Sequence, residues 1–457
     1  QLQRRLYQDH LDLRAAREAD HHDVTGADRV ERTRTETGHH RKLATVFGEV
    51  SVERKAYRAP GACNLHPADA ALNLPVERHS HGLRKLAALE STRGSFEDAA
   101  QAIGRATGTP IGKRQVEQLA ARAAADVCDF YEARERRACP DSDVLVISAD
   151  GKGIVMRPQA LREQTARAAQ NSGNKLQTRL SRGEKRNRKR MAEVGAVYDI
   201  TPVVRAPADI IGSDQPRQTE PTPGPKARDK WLVASVDKTT AEVIAAVFDE
   251  ACRRDPDHRR PWVALVDGNA HQISRIQAEA AQRDVKVSIV LDFVHVLEYL
   301  WKAAWSFFAE GDPAVERWVA GHAVRVLEGG SGVVAAAIRR KATTNKLPPD
   351  KRKGADACAD YLVSRGPYLS YAHALSSGWP IAAGIIEGAC RHLVKDRMDI
   401  TGARWGLPGA EAVLELRALV SNGDFDDYWD YHLTQEHERV HCSHYLGGQV
   451  PGETMAA

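Results

Sequence analysis

Three carboxylates stand out by their context: Asp150, Asp267 and Glu387. Asp150 follows the apolar run Val144 to Ile147 in VLVISADGKG, and Asp267 follows the apolar stretch of PWVALVDG. A carboxylate at the carboxyl end of a buried strand suits a metal ligand or a catalytic acid, and equally a plain turn aspartate. Gly151 and Gly153 are expected to turn the chain sharply after Asp150, with Lys152 setting a cation beside it. A further strand, VKVSIVLD, ends in Asp292, with His295 three residues on at a helix start and Glu298 one turn beyond. Glu387 sits in the helical stretch IAAGIIEGACRHLVKDRM, where Arg391 and Lys395 are expected on its face. Ile386, Ala389, Cys390 and Leu393 then form the packing side. Three hard oxygen donors with open positions suit two Mg²⁺ ions, with Mn²⁺ able to substitute. Two such ions about 3.5–4 Å apart serve an in-line phosphoryl displacement.

To act together these acids need a scaffold. The order after residue 140 is strand, strand, strand, helix, strand, helix, strand, that of a ribonuclease-H-like sheet. In such a sheet the first and fourth strands lie side by side, so their terminal acids converge. A helix after the last strand packs across the sheet and supplies the third. The expected class is therefore α/β: a ribonuclease-H-like mixed-sheet core, 141–300 and 379–421, interrupted by an all-α insertion, 301–378. An α-helical helix-turn-helix region, 75–140, precedes it. Before that, 1–74 reads as an amino-terminal helix, a mobile charged connector to about residue 38, and a strand pair over TVFGEVSVERKAY. Residues 422–457 are polar and read as a loosely attached tail. The six prolines between 202 and 225 mark a surface excursion.

Two basic features point to nucleic acid. Ser95 and Asp98 have capping-box spacing ahead of a helix, GRATGTP is a turn, and Lys113, Arg114 and Gln115 open the next helix. That pattern suits a recognition helix meeting base edges, and equally an ordinary helical hairpin with a solvated basic end. In RGEKRNRKR six of nine residues are cationic: Arg182, Lys185, Arg186, Arg188, Lys189 and Arg190. Such a run binds phosphates through counterion release; its other reading is a solvated loop.

Composition sets the bounds. With 42% hydrophobic and 28% charged residues the chain is of ordinary globular make-up. Net charge is only +4, so a nucleic-acid surface must come from local clustering. No apolar run reaches membrane-span length, and seven scattered cysteines suit reduced thiols in a cytoplasm. Cys63 and His66 have a C-x-x-H spacing that suits zinc, without the clean four-ligand pattern. Gln1 in place of a methionine reads as an incomplete amino terminus.

Several stretches resemble the Kra-type family of bacterial insertion-sequence transposases, within the DDE superfamily. They are SADGKG (148–153), RGEKRNRKRMAEVGAVYDITP (182–202), EACRRDP (250–256), ALVDGNAHQ (264–272), VLDFVHVLEYLWKAAW (290–305) and PIAAGIIEGACRHLVKDRMDITGARW (380–405). With GSFEDA near the front, the resemblance spans roughly residues 40 to 435. It implies Asp150, Asp267 and Glu387 as catalytic, metal-holding triad, and a D-x-x-H element in Asp292 and His295. It implies metal-dependent cleavage at the element's ends, followed by 3′-hydroxyl attack on target DNA. The partners implied are transposon-end and target duplexes and a homodimer or higher oligomer, on the bacterial nucleoid and not at a membrane. Lys152, His295, Arg391, Lys395 and Arg404 are expected to join the basic residues named above on DNA. The alternatives are an inactive DNA-binding protein of transposase descent and a ribonuclease-H-like nuclease.

Overall fold

The computed structural model describes residues 1–135, 139–171, 188–212, 220–400 and 402–452. The chain forms two units: Gln1–Arg134 together with Arg404–Ala457, and Glu135–Ala403. Among the described residues no helix is long and apolar enough to cross a membrane.

The first unit opens with a helix, Leu2–Ala16, and an antiparallel hairpin, β1 (Arg34–Thr45) and β2 (Gly48–Arg58). β1 takes up residues read from the sequence as a mobile connector. Its first nine residues leave their side chains exposed or half-exposed, so it lacks the apolar alternation that marks a strand. Helices His81–Arg93, Phe96–Thr107 and Lys113–Ala123 follow. Ser95 and Asp98 form the expected capping box, and Gly108 ends the second helix in a left-handed conformation. Leu83, Ala87, Ala99, Ile103, Val116 and Leu119 close a common core.

Residues 404–457 belong to this same unit, which corrects both the loose tail over 422–457 and the assignment of 404–421 to the core. Helix Leu407–Asn422 packs on Lys113–Ala123, and helix Phe425–Val440 buries Phe425, Tyr428 and Trp429. The stretch looks polar because its buried polar groups are paired. Arg84, fully buried, grips Glu436 with two bonds of 2.6 and 2.5 Å. His432 bonds Asp126 at 2.6 Å, and Arg439 reaches the same carboxylate at 2.8 Å.

The second unit is mixed α/β. Its five strands are β3 (Val144–Val155), β4 (Lys189–Ile200), β5 (Ala227–Ser235), β6 (Trp262–Val266) and β7 (Val287–Leu291). They lie in the order β5-β4-β3-β6-β7. The β3–β4 and β4–β5 pairs are antiparallel, whereas β3–β6 and β6–β7 are parallel. Helix Thr240–Arg254 packs on β3, β4 and β5, close enough that a Cβ on Gly195 would strike Val247. Between β7 and residue 378 the chain is helical, from Phe293–Ala304 through Tyr371–Ser376. Part of the proline-rich excursion docks back: Val203 N–H donates to Gly378 O at 3.0 Å, and Arg205 N–H to Leu375 O at 3.1 Å.

Candidate active site

β3 does not end at Asp150. It runs on to Val155, pairing Asp150 with Val194 and Gly151 with Glu193 on β4. Gly151 and Gly153 therefore turn nothing. They clear space for β4 side chains, since a Cβ on Gly151 would lie 3.0 Å from Met191 Cε and 3.2 Å from Glu193 Oε2. On the other side of β3 the parallel pairing with β6 stops at Ile147, opposite Ala264. Asp150 thus lies three residues past the end of that pairing, inside one strand but beyond its neighbour.

The same count holds across the sheet. Ala264 pairs with Ile289, so Asp150, Asp267 and Asp292 each stand three residues past one row, 147–264–289. Three adjacent parallel strands thus carry an acid at one level, just past the carboxyl ends of β6 and β7 and within β3. Asp267 Oδ1 accepts the Asn269 N–H at 2.8 Å, and Gly268 follows with φ +97°. A side chain there would meet Tyr361 and Leu291, so glycine suits both conformation and space. Asp292 is fully buried and caps helix Phe293–Ala304 through Val294 N–H at 3.0 Å. Its Oδ2 lies 3.3 Å from His295 Nδ1, which orients the imidazole.

Glu387 comes from helix Gly384–Ala389, which packs on β3 and β4. The Phe293 N–H donates to Ile381 O at 2.8 Å and draws the approach to this helix against Asp292. Ligand atoms of Asp292, His295 and Glu387 lie within 4.8 Å of one another. Burial raises the Glu387 carboxyl above its ordinary range, and Asp292 raises it further by charge and by a shared hydrogen bond. Asp150 adds to the rise. Asp150 and Asp267 are not in the converged trio. Glu298 stays outside, 3.8 Å from Lys302 across an exposed pair.

No protein-family model and no curated protein matches this chain.

After Ala389 the helix widens into a π turn, Cys390–Lys395. Arg391 reaches Asp396, five residues on, at 3.9 Å, and is not the ion-pair partner of Glu387. The turn also aims Cys390 at β3, where its thiol donates to Asp150 Oδ2 at 3.3 Å. Burial and that neighbouring carboxylate push the thiol well above its usual range. Two more groups are not legible in the sequence as site residues. Glu193, whose carboxyl is raised by burial, lies on β4 beside Asp150. Tyr361, stacked on Tyr299 with ring centroids 4.0 Å apart, has a buried hydroxyl with no hydrogen-bond partner among the described residues. Burial, then Tyr299, push that hydroxyl up to about 12, with Asp267 and Asp292 acting in the same direction. Tyr361 carries no sequence signal, whereas the spacing around Cys390 signals only packing.

The expected DNA contacts divide. Lys152 and Lys189 are exposed on the part of the β3–β4 ribbon that β6 does not reach. Arg188 is half-buried, and Lys395 and Arg391 are exposed. Arg190 is committed to structure: it donates to Val236 O at 2.7 Å and pairs with Asp237 at 2.9 Å. Arg182, Lys185 and Arg186 lie outside the described residues. In the other unit Lys113, Arg114 and Arg404 are exposed, Lys113 being 3.7 Å from Glu97. Gln115 caps its own helix by accepting the Gly112 N–H at 3.0 Å. Around Cys63 and His66 the described residues form no three-ligand set, and His66 Nδ1 is taken by Lys55 O at 2.9 Å.

Proposed function

We propose that the protein is a DNA transposase of the DDE type, cutting a phosphodiester and joining the freed 3′-hydroxyl to a second duplex. The observation that carries this is the level row of Asp150, Asp267 and Asp292 on three adjacent parallel strands, with Glu387 brought beside Asp292 by a helix packed on β3 and β4. The strand order, with three antiparallel strands continued by two parallel ones, supports a ribonuclease-H-like core. Lys113, Arg114 and Gln115 at the start of a helix that follows a short turn support the helix-turn-helix reading.

The donor set fits hard divalent cations: Asp292, His295 and Glu387 converge, with Asp150 and Asp267 level with Asp292 on the neighbouring strands and a Tyr361 hydroxyl that has no hydrogen-bond partner among the described residues. Glu387 is held above its ordinary range by burial and by the neighbouring Asp292, a crowding that a cation would relieve. Asp150, Asp267 and Glu387 would hold Mg²⁺ or Mn²⁺, with Asp292 and His295 beside them. Such ions, when bound, supply Lewis acidity toward the phosphodiester and the attacking oxygen. The remaining work belongs to the chain. Asp292 fixes the His295 ring so that its second nitrogen is available to a phosphate oxygen. Cys390 steadies Asp150 through its thiol. Lys152 and Lys189 attract the backbone of the strand being cut.

The test is cleavage and joining of duplexes bearing the sequences that flank the gene, with Mg²⁺. Asp150→Asn and Asp267→Asn should each lose on the order of 10³-fold in rate while still binding DNA. Undiminished strand transfer by either variant overturns the reading. Binding without any cleavage by the unaltered protein would instead favour a DNA-binding protein of transposase descent.

A further inference from the structure

Away from the acid row, the end of helix Phe425–Val440 brings His437, Glu438 and Cys442 together, with the His441 ring next to that of His437. Ligand atoms of His437, Glu438 and Cys442 lie within 4.8 Å of one another. His437 Nδ1 is 3.4 Å from Cys442 Sγ. Two ligands of one tetrahedral zinc, with Zn–S near 2.3 Å and Zn–N near 2.05 Å, stand about 3.6 Å apart. The observed spacing is thus close to that of a zinc edge.

His441 supplies the second, independent observation. Its side chain is buried, only 6% exposed, and its Nε2 has no hydrogen-bond partner among the described residues. Its other ring nitrogen bonds the Leu74 carbonyl. A metal-bound histidine is usually held this way, one nitrogen on a backbone oxygen and the other on the ion. An orphaned buried lone pair is otherwise costly. The His437 and His441 rings are 5.3 Å apart, the neighbourhood that an i,i+4 pair on a helix gives.

We propose that His437, Glu438 and Cys442 hold a structural zinc, with His441, outside the 4.8 Å set, completing it as the fourth donor. A thiolate, two imidazoles and a carboxylate suit Zn²⁺ and not Mg²⁺, which takes oxygen donors. The spacing H-E-x-x-H also serves catalytic zinc, where water fills the fourth position. Here Cys442, directly after the second histidine, brings the protein donors to four and closes the set. The zinc would pin the helix end to the segment after it. That segment is already stitched to the amino-terminal stretch: Ala27 N–H donates to His444 O at 2.9 Å and Leu446 N–H to Thr25 O at 3.1 Å. Tyr445 packs there with Val24, Tyr57 and Leu65.

The experiment is elemental analysis of the full chain, purified without chelator and equilibrated with Zn²⁺ and then excess Mg²⁺. It is paired with alkylation of each cysteine followed by peptide mass. We expect one zinc per chain, a Co²⁺ form with thiolate-to-metal absorption, and Cys442 alkylated only after chelation. Exposed Cys63 and Cys128 should react in both states. Cys442→Ser and His437→Gln should lose the zinc, whereas Asp292→Asn and Glu387→Gln should keep it. Absence of stoichiometric zinc, or alkylation of Cys442 indifferent to chelator, overturns the proposal. So does zinc that leaves with Glu387→Gln but stays with Cys442→Ser.

Discussion

Glu387→Gln should move stability in opposite directions with and without metal. In the metal-free protein Glu387 and Asp292 crowd two carboxyls, whose oxygens lie within 4.8 Å of one another. Two unit charges at that distance repel by about 0.9 kcal/mol in water and about 3.5 kcal/mol at an effective dielectric of 20. Glu387 is exposed, so solvent screening favours the lower figure, about 1 kcal/mol. Glutamine removes this repulsion and can donate an amide hydrogen to Asp292. In chelator the variant should melt about 2 °C higher, the response expected of a unit this size. With Mg²⁺ at ten times its Kd the unaltered protein gains RT ln 11, about 1.4 kcal/mol, and should overtake the variant. The pH dependence gives a second check. A raised carboxyl binds more protons folded than unfolded, so its stabilisation is complete below the ordinary glutamate value. It is then lost as pH rises through the raised one. Glu387→Gln should erase that slope in chelator. Calorimetry at two salt concentrations with a cleavage assay on the same samples decides it. A variant that melts no higher in chelator, or that cuts at the unaltered rate, refutes the argument.

Other outcomes follow from the same geometry. Glu436→Gln removes the nearer charge partner of the buried Arg84, leaving only Glu77 at 4.0 Å, and should cost about 3 kcal/mol by chemical denaturation. Burial pushes Glu436 up, but bonds from His432 and Arg84 outweigh it and hold the carboxyl down at about 2. Its contribution should therefore be present above the ordinary glutamate value and fade as pH falls toward 2, as acid titration of melting would record. Gly195→Ala should cost about 1–3 kcal/mol, because the new methyl meets Val247 and comes within 2.9 Å of Val233; calorimetry would show no loss if the helix sits elsewhere. Lys152→Ala with Lys189→Ala should lower the slope of log affinity against log salt by about 0.9 for each phosphate no longer neutralised, whereas Arg190→Ala should lower melting temperature and leave that slope alone.

The parts of the fold that show in the sequence are those where one rule dominates. β3 and β6 open as apolar runs buried among neighbours, β7 is an apolar run buried at its last two residues, and the acids after β6 and β7 are read directly. β1 is hidden because its exposed side chains give it no alternation. Asp150 reads as a strand end, wrongly, because a glycine on each side of Lys152 looks the same whether it bends a chain or clears room for Met191 and Glu193. The meeting of Glu387 with Asp292 and His295 depends on where a helical excursion of some ninety residues returns, and no local pattern encodes that. The buried ends of Arg84 and Glu436 read as surface charge until both partners are known.

The first unit is assembled from both ends of the chain, with 269 residues (403−134) of the second unit between. During synthesis at roughly 5–20 residues per second, its early helices must wait about 15–50 s for the helices that bury them. Until then Lys113, Arg114 and Gln115 stand on a half-built support, and the intervening unit can fold first. A nascent chain thus owns a finished sheet before it owns the finished helical module proposed to read DNA. Premature termination would release the acid row without the module proposed to aim it. A fragment ending near residue 140 would have the same defect, since it lacks the two helices that complete its core.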